Sequence, residues 1–167
     1  MNILGYMVVL RPTYLIDGDV TDIDLDTLAR DGIKGIIFDL DSTIMAPRSG
    51  RITAEAATWL ELARNRFQLA VVSNNKSDPY IKQVQEHLNM TVLGRAAKPS
   101  TKLFLQVLEM FQLRADQVAV VGDRPLTDVW GGQRAGMKTV LVLPLKTMNE
   151  PAWILFFRKL ERCFIKS

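Results

Sequence analysis

The sequence predicts an α/β fold, a doubly wound, Rossmann-like parallel sheet of about five strands with helices on both faces. Three observations carry this. Short β-branched runs alternate with helical stretches between residues 34 and 143. The runs are apolar on consecutive residues, as in Ile36-Ile37-Phe38, the pattern of a strand buried on both faces. Four of the runs are followed by polar groups: Asp39 and Asp41, then Ser73-Asn74-Asn75, then Lys98, then Gly122-Asp123 with Asp128. In a parallel sheet the carboxyl ends of the strands share one edge, so these groups should converge on one crevice.

Residues 1–20 resist assignment, and Arg11-Pro12-Thr13-Tyr14 breaks any helix there. Asp24 suits the cap of a short helix over Leu25 to Arg30, with Gly32 just past its end. The first strand covers about 34–39, and residues 44–52, with Pro47 and Gly50, read as a loop. Thr53 starts a helix whose apolar face holds Ala56, Trp59, Leu60 and Ala63. Gln68 to Val72 is the second strand, and Ser77 caps a helix carrying Ile81, Val84 and Leu88 on one face. Thr91 to Leu93 is the third strand. Lys98-Pro99-Ser100 leads to a helix with Leu103, Phe104, Val107, Leu108 and Phe111 inward. Val118 to Val121 is the fourth strand, a helix spans about 126–135 up to Gly136, and Thr139 to Leu143 is the fifth strand.

The length of 167 residues suits a single domain, 1–167, able to bury a substantial core. One cysteine, Cys163, excludes an internal disulfide and is compatible with a reducing compartment. One histidine, His87, cannot build a histidine-rich metal site and reads as a surface residue. The net charge of +3 belongs to the tail: from Pro144 onward Lys146, Arg158, Lys159, Arg162 and Lys166 face only Glu150 and Glu161. The rest of the chain is balanced, so the charge gives no support to nucleic-acid binding. No apolar run approaches the roughly 18 residues that cross a bilayer. The apolar residues 3–10 lack a basic stretch before them and a small-residue cleavage site after them. The expected location is cytoplasmic, with peripheral contact to the inner face of a membrane left open.

Side chains alternate along an extended strand, so Asp39 and Asp41 share a side. Two carboxylates on one side repel and need a cation, a proton or strong donors nearby. The plain alternative is a turn or helix cap, which Ser42-Thr43 would also suit. Taken together, three of the four strand-end carboxylates are enough to hold a hard cation such as Mg²⁺ through oxygen. The Ser73 hydroxyl, the Lys98 ammonium and loop N–H groups match the oxygens of a phosphate. One carboxylate is left to attack phosphorus.

The order Asp-x-Asp-x-Thr, then Ser, then Lys-Pro, then Gly-Asp-x-x-x-x-Asp resembles the haloacid dehalogenase (HAD) superfamily of phosphatases over about residues 33–143. The resemblance implies that Asp39 is the nucleophile and that Asp41 protonates the leaving oxygen and then activates water. It implies a Mg²⁺ held by Asp39, by Asp41 through its backbone carbonyl, and by Asp123, with Asp128 ligating or supporting. Ser73, Asn74 and Lys98 would hold the phosphoryl group, and Thr43 and Gly122 would support the loops. Ser42 stands where many members have Gly or Asn, a departure expected to be tolerated and to bear on the local turn.

The segments 44–72 and 74–97 are filled by core helices and strands, which leaves no room for the cap domain usual in the superfamily. Such an open site implies a large substrate, or closure by a membrane or a second subunit. The run Gly32-Ile33-Lys34-Gly35, the preceding Asp22-Ile23-Asp24 and the final Glu150-Pro151 with its basic helix resemble the capless, YqeG-like subgroup akin to phosphatidylglycerophosphate phosphatases. The C-terminal helix, about 151–165, places Trp153, Phe156, Phe157, Leu160, Cys163 and Phe164 on one side and its basic residues opposite, with Leu155 a misfit on the polar side. Contact of 151–166 with an anionic membrane, docking on the core and a homo-oligomer face all remain open. The expected partner is a phosphate ester, an anionic lipid among the candidates. The alternatives are a phosphatase of soluble phosphosugars or phosphorylated macromolecules, and a receiver-like phosphate-sensing module.

Overall fold

A computed structural model of the chain describes residues 10–46, 49 and 51–145. In chain order the elements are β1 (Tyr14–Leu15), α1 (Leu25–Arg30), β2 (Gly35–Phe38), α2 (Ala54–Arg64), β3 (Gln68–Val72), α3 (Asp78–Leu88), β4 (Thr91–Leu93), α4 (Lys102–Phe111), β5 (Val118–Gly122), α5 (Trp130–Arg134) and β6 (Lys138–Leu141). The strands form one six-stranded sheet in the order β1-β6-β5-β2-β3-β4, with every pairing parallel. No extra domain is inserted among the described residues.

The helices begin and end where local chemistry stops them. The Asp24 carboxylate accepts the Asp26 N–H at 2.9 Å and opens α1, which closes at Gly32 with φ +81°. The Thr53 hydroxyl accepts the Ala56 N–H at 3.2 Å and opens α2, which buries Ala56, Trp59, Leu60 and Ala63 as the sequence predicts. Ser77 occupies the cap position of α3 but its side chain makes no capping bond; the helix buries Val84 and Leu88 and half-buries Ile81.

Successive strand residues feed opposite cores. Ile36, Phe38, Val71, Ala119 and Val121 join one cluster with Leu28, Trp59, Leu60 and Val84. Ile37, Ala70, Val72, Val118 and Val120 join the other with Phe104, Val107 and Phe111 of α4. Each fully buried Val, Ile or Phe of the strands contributes about 1.5–3 kcal/mol from apolar transfer. This two-sided burial is why the strands read as continuous apolar runs.

Three readings need correction. The sheet gains a sixth strand, β1, parallel to β6 with Tyr14 opposite Val140. The expected helix over 126–135 is instead a wide π-type turn, Pro125–Val129, followed by the short α5. The last strand spans Lys138–Leu141 rather than 139–143. The predicted helix at 151–165, residues 1–9 and part of the 44–52 loop lie outside the described residues.

β2 lies in the middle of the sheet, with β3 on one side and β5 on the other. Phe38 is in register with both Val71 and Val121. The chain therefore leaves all three strands at nearly the same level, and the direction of winding reverses there. Open parallel sheets bind ligands at such a point.

Candidate active site

Asp39 is the first residue off β2, and its N–H still donates to the Val121 carbonyl at 2.8 Å. Lys98 reaches it from the segment after β4. The Lys98 ammonium donates to Asp39 Oδ1 at 2.5 Å and to Asp128 Oδ1 at 2.7 Å, with its own side chain only 2% exposed. The main chain of Lys98 is held by Asn74, whose Oδ1 accepts the Lys98 N–H at 2.7 Å and whose Nδ2 donates to the Lys98 carbonyl at 3.3 Å. Asn74 thus fixes the lysine from behind.

The turn after β5 supplies two acids. Asp123 is buried, and its Oδ1 accepts the Thr43 hydroxyl at 3.3 Å, which ties the first loop to the fourth motif. Asp128 is brought back by the π-type turn, and its Oδ2 accepts the Arg124 N–H at 3.2 Å. This seat exists because residue 122 is glycine: a Cβ there would lie 2.3 Å from Asp128 Oδ2. Gly122→Ala is therefore expected to cost about 1–3 kcal/mol through overpacking. A thermal melt indistinguishable from that of the parent would show the seat to be looser than drawn.

Carboxylate oxygens of Asp39, Asp123 and Asp128 lie within 4.8 Å of one another. Burial pushes the Asp39 carboxyl up to about 6; Lys98 opposes the rise and Asp128 adds to it. For Lys98, burial works against the charge, but Asp128 and Asp39 outweigh it and hold the ammonium above its usual range. Three carboxylates around one ammonium leave an excess of negative charge. Lys98 takes one oxygen of Asp39 and one of Asp128, so each acid keeps a second oxygen turned elsewhere. The set offers oxygen donors only, which fits a hard divalent cation such as Mg²⁺ and disfavours a soft one.

The other expected residues lie on the neighbouring strand-end loops. Ser73, 2% exposed, follows β3, and its hydroxyl accepts the Asn75 N–H at 3.1 Å, a bond that uses a lone pair and not the proton. The Asp41 carboxylate stands apart from the three acids. Its Oδ1 accepts the Tyr80 hydroxyl at 3.2 Å and its Oδ2 accepts from Asn75 Nδ2 at 3.4 Å. Ser42 takes a left-handed conformation, φ +71°, which explains why Gly or Asn would be usual at that position. The sequence gives no role toward Asp41 to Tyr80 or Asn75. Asn75 lay inside the Ser-Asn-Asn run, and Tyr80 carried no signal beyond a tyrosine in the first turn of a helix aimed at the strand-end edge.

The HAD-hydrolase-like family profile matches residues 95–152, the stretch that contains Lys98, Asp123 and Asp128. The chain is 31% identical over 143 residues to the probable phosphatase YqeG of Bacillus subtilis, covering 85% of this chain and 82% of that protein. It is 32% identical over 157 residues to the chloroplastic/mitochondrial phosphatidylglycerophosphate phosphatase 1 of Arabidopsis thaliana, covering 89% of this chain. The match spans only 45% of the Arabidopsis protein's length. Among solved structures, an uncharacterized protein from Listeria monocytogenes aligns with a TM-score of 0.58 at 18% identity, over 71% of this chain and 85% of that one. The protein YfnB of Bacillus subtilis, solved bound to magnesium, aligns with a TM-score of 0.54 at 14% identity, over 72% of this chain and 91% of that one. These structural likenesses concern the fold.

Proposed function

The chain belongs to the HAD-like hydrolases, in the company of YqeG and the phosphatidylglycerophosphate phosphatases, and from that premise we propose a Mg²⁺-dependent phosphomonoester hydrolase that works through an aspartyl-phosphate. The observation that carries the reading is the convergence of Asp39, Lys98, Asp123 and Asp128 from three separate strand ends on one buried point.

In this reading the Asp39 carboxylate attacks phosphorus in line. The bond to the leaving oxygen breaks, and the Asp41 carboxyl gives that oxygen its proton. Asp41, now a carboxylate, takes a proton from the water that attacks the aspartyl-phosphate. Inorganic phosphate leaves and the Asp39 carboxylate is restored. Lys98 and Ser73 hold the transferring oxygens, with Asn74 keeping Lys98 in place. Asp39, Asp123, Asp128 and the Asp41 backbone carbonyl would hold Mg²⁺, which would supply further neutralisation of the phosphoryl charge. Thr43 and Gly122 act as supports, fixing Asp123 and seating Asp128.

We infer that the substrate is a lipid phosphate of the phosphatidylglycerophosphate kind. Two relatives, from Arabidopsis thaliana and Chlamydomonas reinhardtii, bear that name. An uncapped crevice suits a head group on a surface, and the basic, aromatic residues 151–166 suit an anionic inner membrane face approached from the cytoplasm. Among the described residues no helix is long and apolar enough to cross a membrane. A receiver-like module is disfavoured, because such modules place the acidic pair and the phosphorylated Asp on different strands, whereas Asp39 and Asp41 both follow β2.

The test is a panel of phosphatidylglycerophosphate in anionic vesicles, phosphosugars and p-nitrophenyl phosphate, with Mg²⁺ or with EDTA. Mg²⁺-dependent turnover with the lipid preferred is expected. Deleting 152–167 should weaken vesicle sedimentation, since each basic residue at the surface contributes about 1 kcal/mol. Turnover of soluble esters alone, unaffected by that deletion, would move the assignment to a soluble phosphosugar.

A further inference from the structure

We propose that Tyr80 is the positioning residue of the general acid Asp41, and that with Asn75 it defines the leaving-group side of the crevice; this rests on the hydrolase reading above. Asp41, like Asp39, is half-buried, and the Tyr80 hydroxyl and the Asn75 amide take one oxygen each of its carboxylate. A carboxylate held at both oxygens, at 3.2 and 3.4 Å, is restrained about its Cβ–Cγ bond, which biases the face it offers the substrate.

Both donors are themselves fixed. Tyr80 lies in the first turn of α3, and its half-buried ring packs against the apolar core on that side of the sheet. A packed ring has little freedom, so its hydroxyl is delivered to Asp41 Oδ1 at 3.2 Å with little entropy left to lose. Asn75 is held more firmly still. Its Oδ1 accepts the Ser77 N–H at 2.9 Å, its carbonyl accepts the Arg95 N–H at 2.8 Å, and its N–H donates to Ser73 Oγ at 3.1 Å. Because Oδ1 is engaged by a backbone donor, the amide nitrogen must be the atom facing Asp41.

The two partners also say where the alcohol departs. Asp39 is gripped by Lys98, which arrives from the segment after β4, and Asp128 reaches the same ammonium from the turn after β5. Asp41 is gripped by the β3–α3 loop and the first turn of α3. An in-line displacement puts nucleophile and leaving oxygen on opposite sides of phosphorus. The proton donor on the leaving side is the Asp41 carboxyl, and Tyr80 and Asn75 are the groups that hold it.

The experiment compares two leaving groups. p-Nitrophenolate departs with little need of a proton, whereas the alkoxide of glycerol phosphate requires one. Tyr80→Phe keeps the ring and removes only the hydroxyl. It should lower kcat on glycerol phosphate about tenfold, a fraction of the roughly 10²–10⁴-fold that general acid catalysis supplies, and lower it less than about threefold on p-nitrophenyl phosphate. In an Asp41→Asn background, the same change should add nothing on glycerol phosphate. Equal losses on the two esters, no loss on either, or a full further loss in the Asp41→Asn background would each overturn the assignment. Undiminished turnover by Asp39→Asn would overturn the hydrolase reading itself, and this inference with it.

Discussion

Asp39→Asn is expected to lower hydrolysis of p-nitrophenyl phosphate by about 10⁴-fold or more, because it replaces the attacking oxygen of a carboxylate with an amide. The fold should survive. Asn keeps the shape and one oxygen able to accept from the Lys98 ammonium, and Asp128 remains as the lysine's charged partner at 2.7 Å. Circular dichroism should match the parent, and the melting temperature should stay within a few degrees. The catalytic cost is large because Asp39 is placed at some expense. Burial opposes its ionisation, raising its carboxyl to about 6, and Lys98 is the counterweight that keeps it anionic near neutrality. Rapid acid quench of the parent during turnover should trap a hydroxylamine-labile phosphoryl group, and the variant should trap none. A labelled Asp39→Asn protein with ordinary turnover would place the nucleophile elsewhere.

The part of this site that could be read from the chain is the part written by the sheet. Ile36-Ile37-Phe38 stops at Asp39 and Val118-Ala119-Val120-Val121 stops at Gly122-Asp123, and a buried parallel strand has one chemically useful end. What the sheet does not write stayed hidden. β1 is two residues long, Tyr14–Leu15, too short for any periodicity, and it is selected by pairing with β6 rather than by its own pattern. The π-type turn at Pro125–Val129 shares its apolar spacing with an α-helix, so 126–135 reads as one helix; the added residue per turn is set by Asp128 coming back onto Gly122 and Lys98. The Gly122 requirement itself is a contact between backbone and carboxylate, visible only once Asp128 is in place. Tyr80 is the clearest case. A tyrosine among core positions of a helix looks like packing, and its ring is indeed packed. The hydroxyl's reach to Asp41, 39 residues away in sequence, is a tertiary fact.

Lys98→Met carries the second large effect, on stability as well as on activity. In the parent, Lys98 neutralises Asp39 and Asp128 at side-chain exposures of 2%, 13% and 1% respectively. Methionine matches the length of the side chain but leaves two carboxylates facing each other without their shared donor. Removing one partner of a buried charge pair costs about 3–5 kcal/mol. For a chain of this size that corresponds to a drop of roughly 10 °C in melting temperature. The pH dependence has a definite sign. Asp39 already binds its proton more tightly folded than unfolded, with about 6 against 3.8, so its share of stability falls as pH rises through that window. Without Lys98 the folded-state value moves higher and the window widens upward. The deficit relative to the parent should therefore be largest above neutrality and shrink as the pH is lowered toward 5. Added Mg²⁺ should recover part of it, by supplying positive charge to the same carboxylates, and EDTA should remove that recovery. Activity should remain at least about 10²-fold low even with Mg²⁺ present, since the lysine also answers the charge on the transferring phosphoryl oxygens. Melts of parent and variant across pH 5–8, with Mg²⁺ and with EDTA, decide the matter; a deficit that is independent of pH would mean that the lysine's role is packing and not charge.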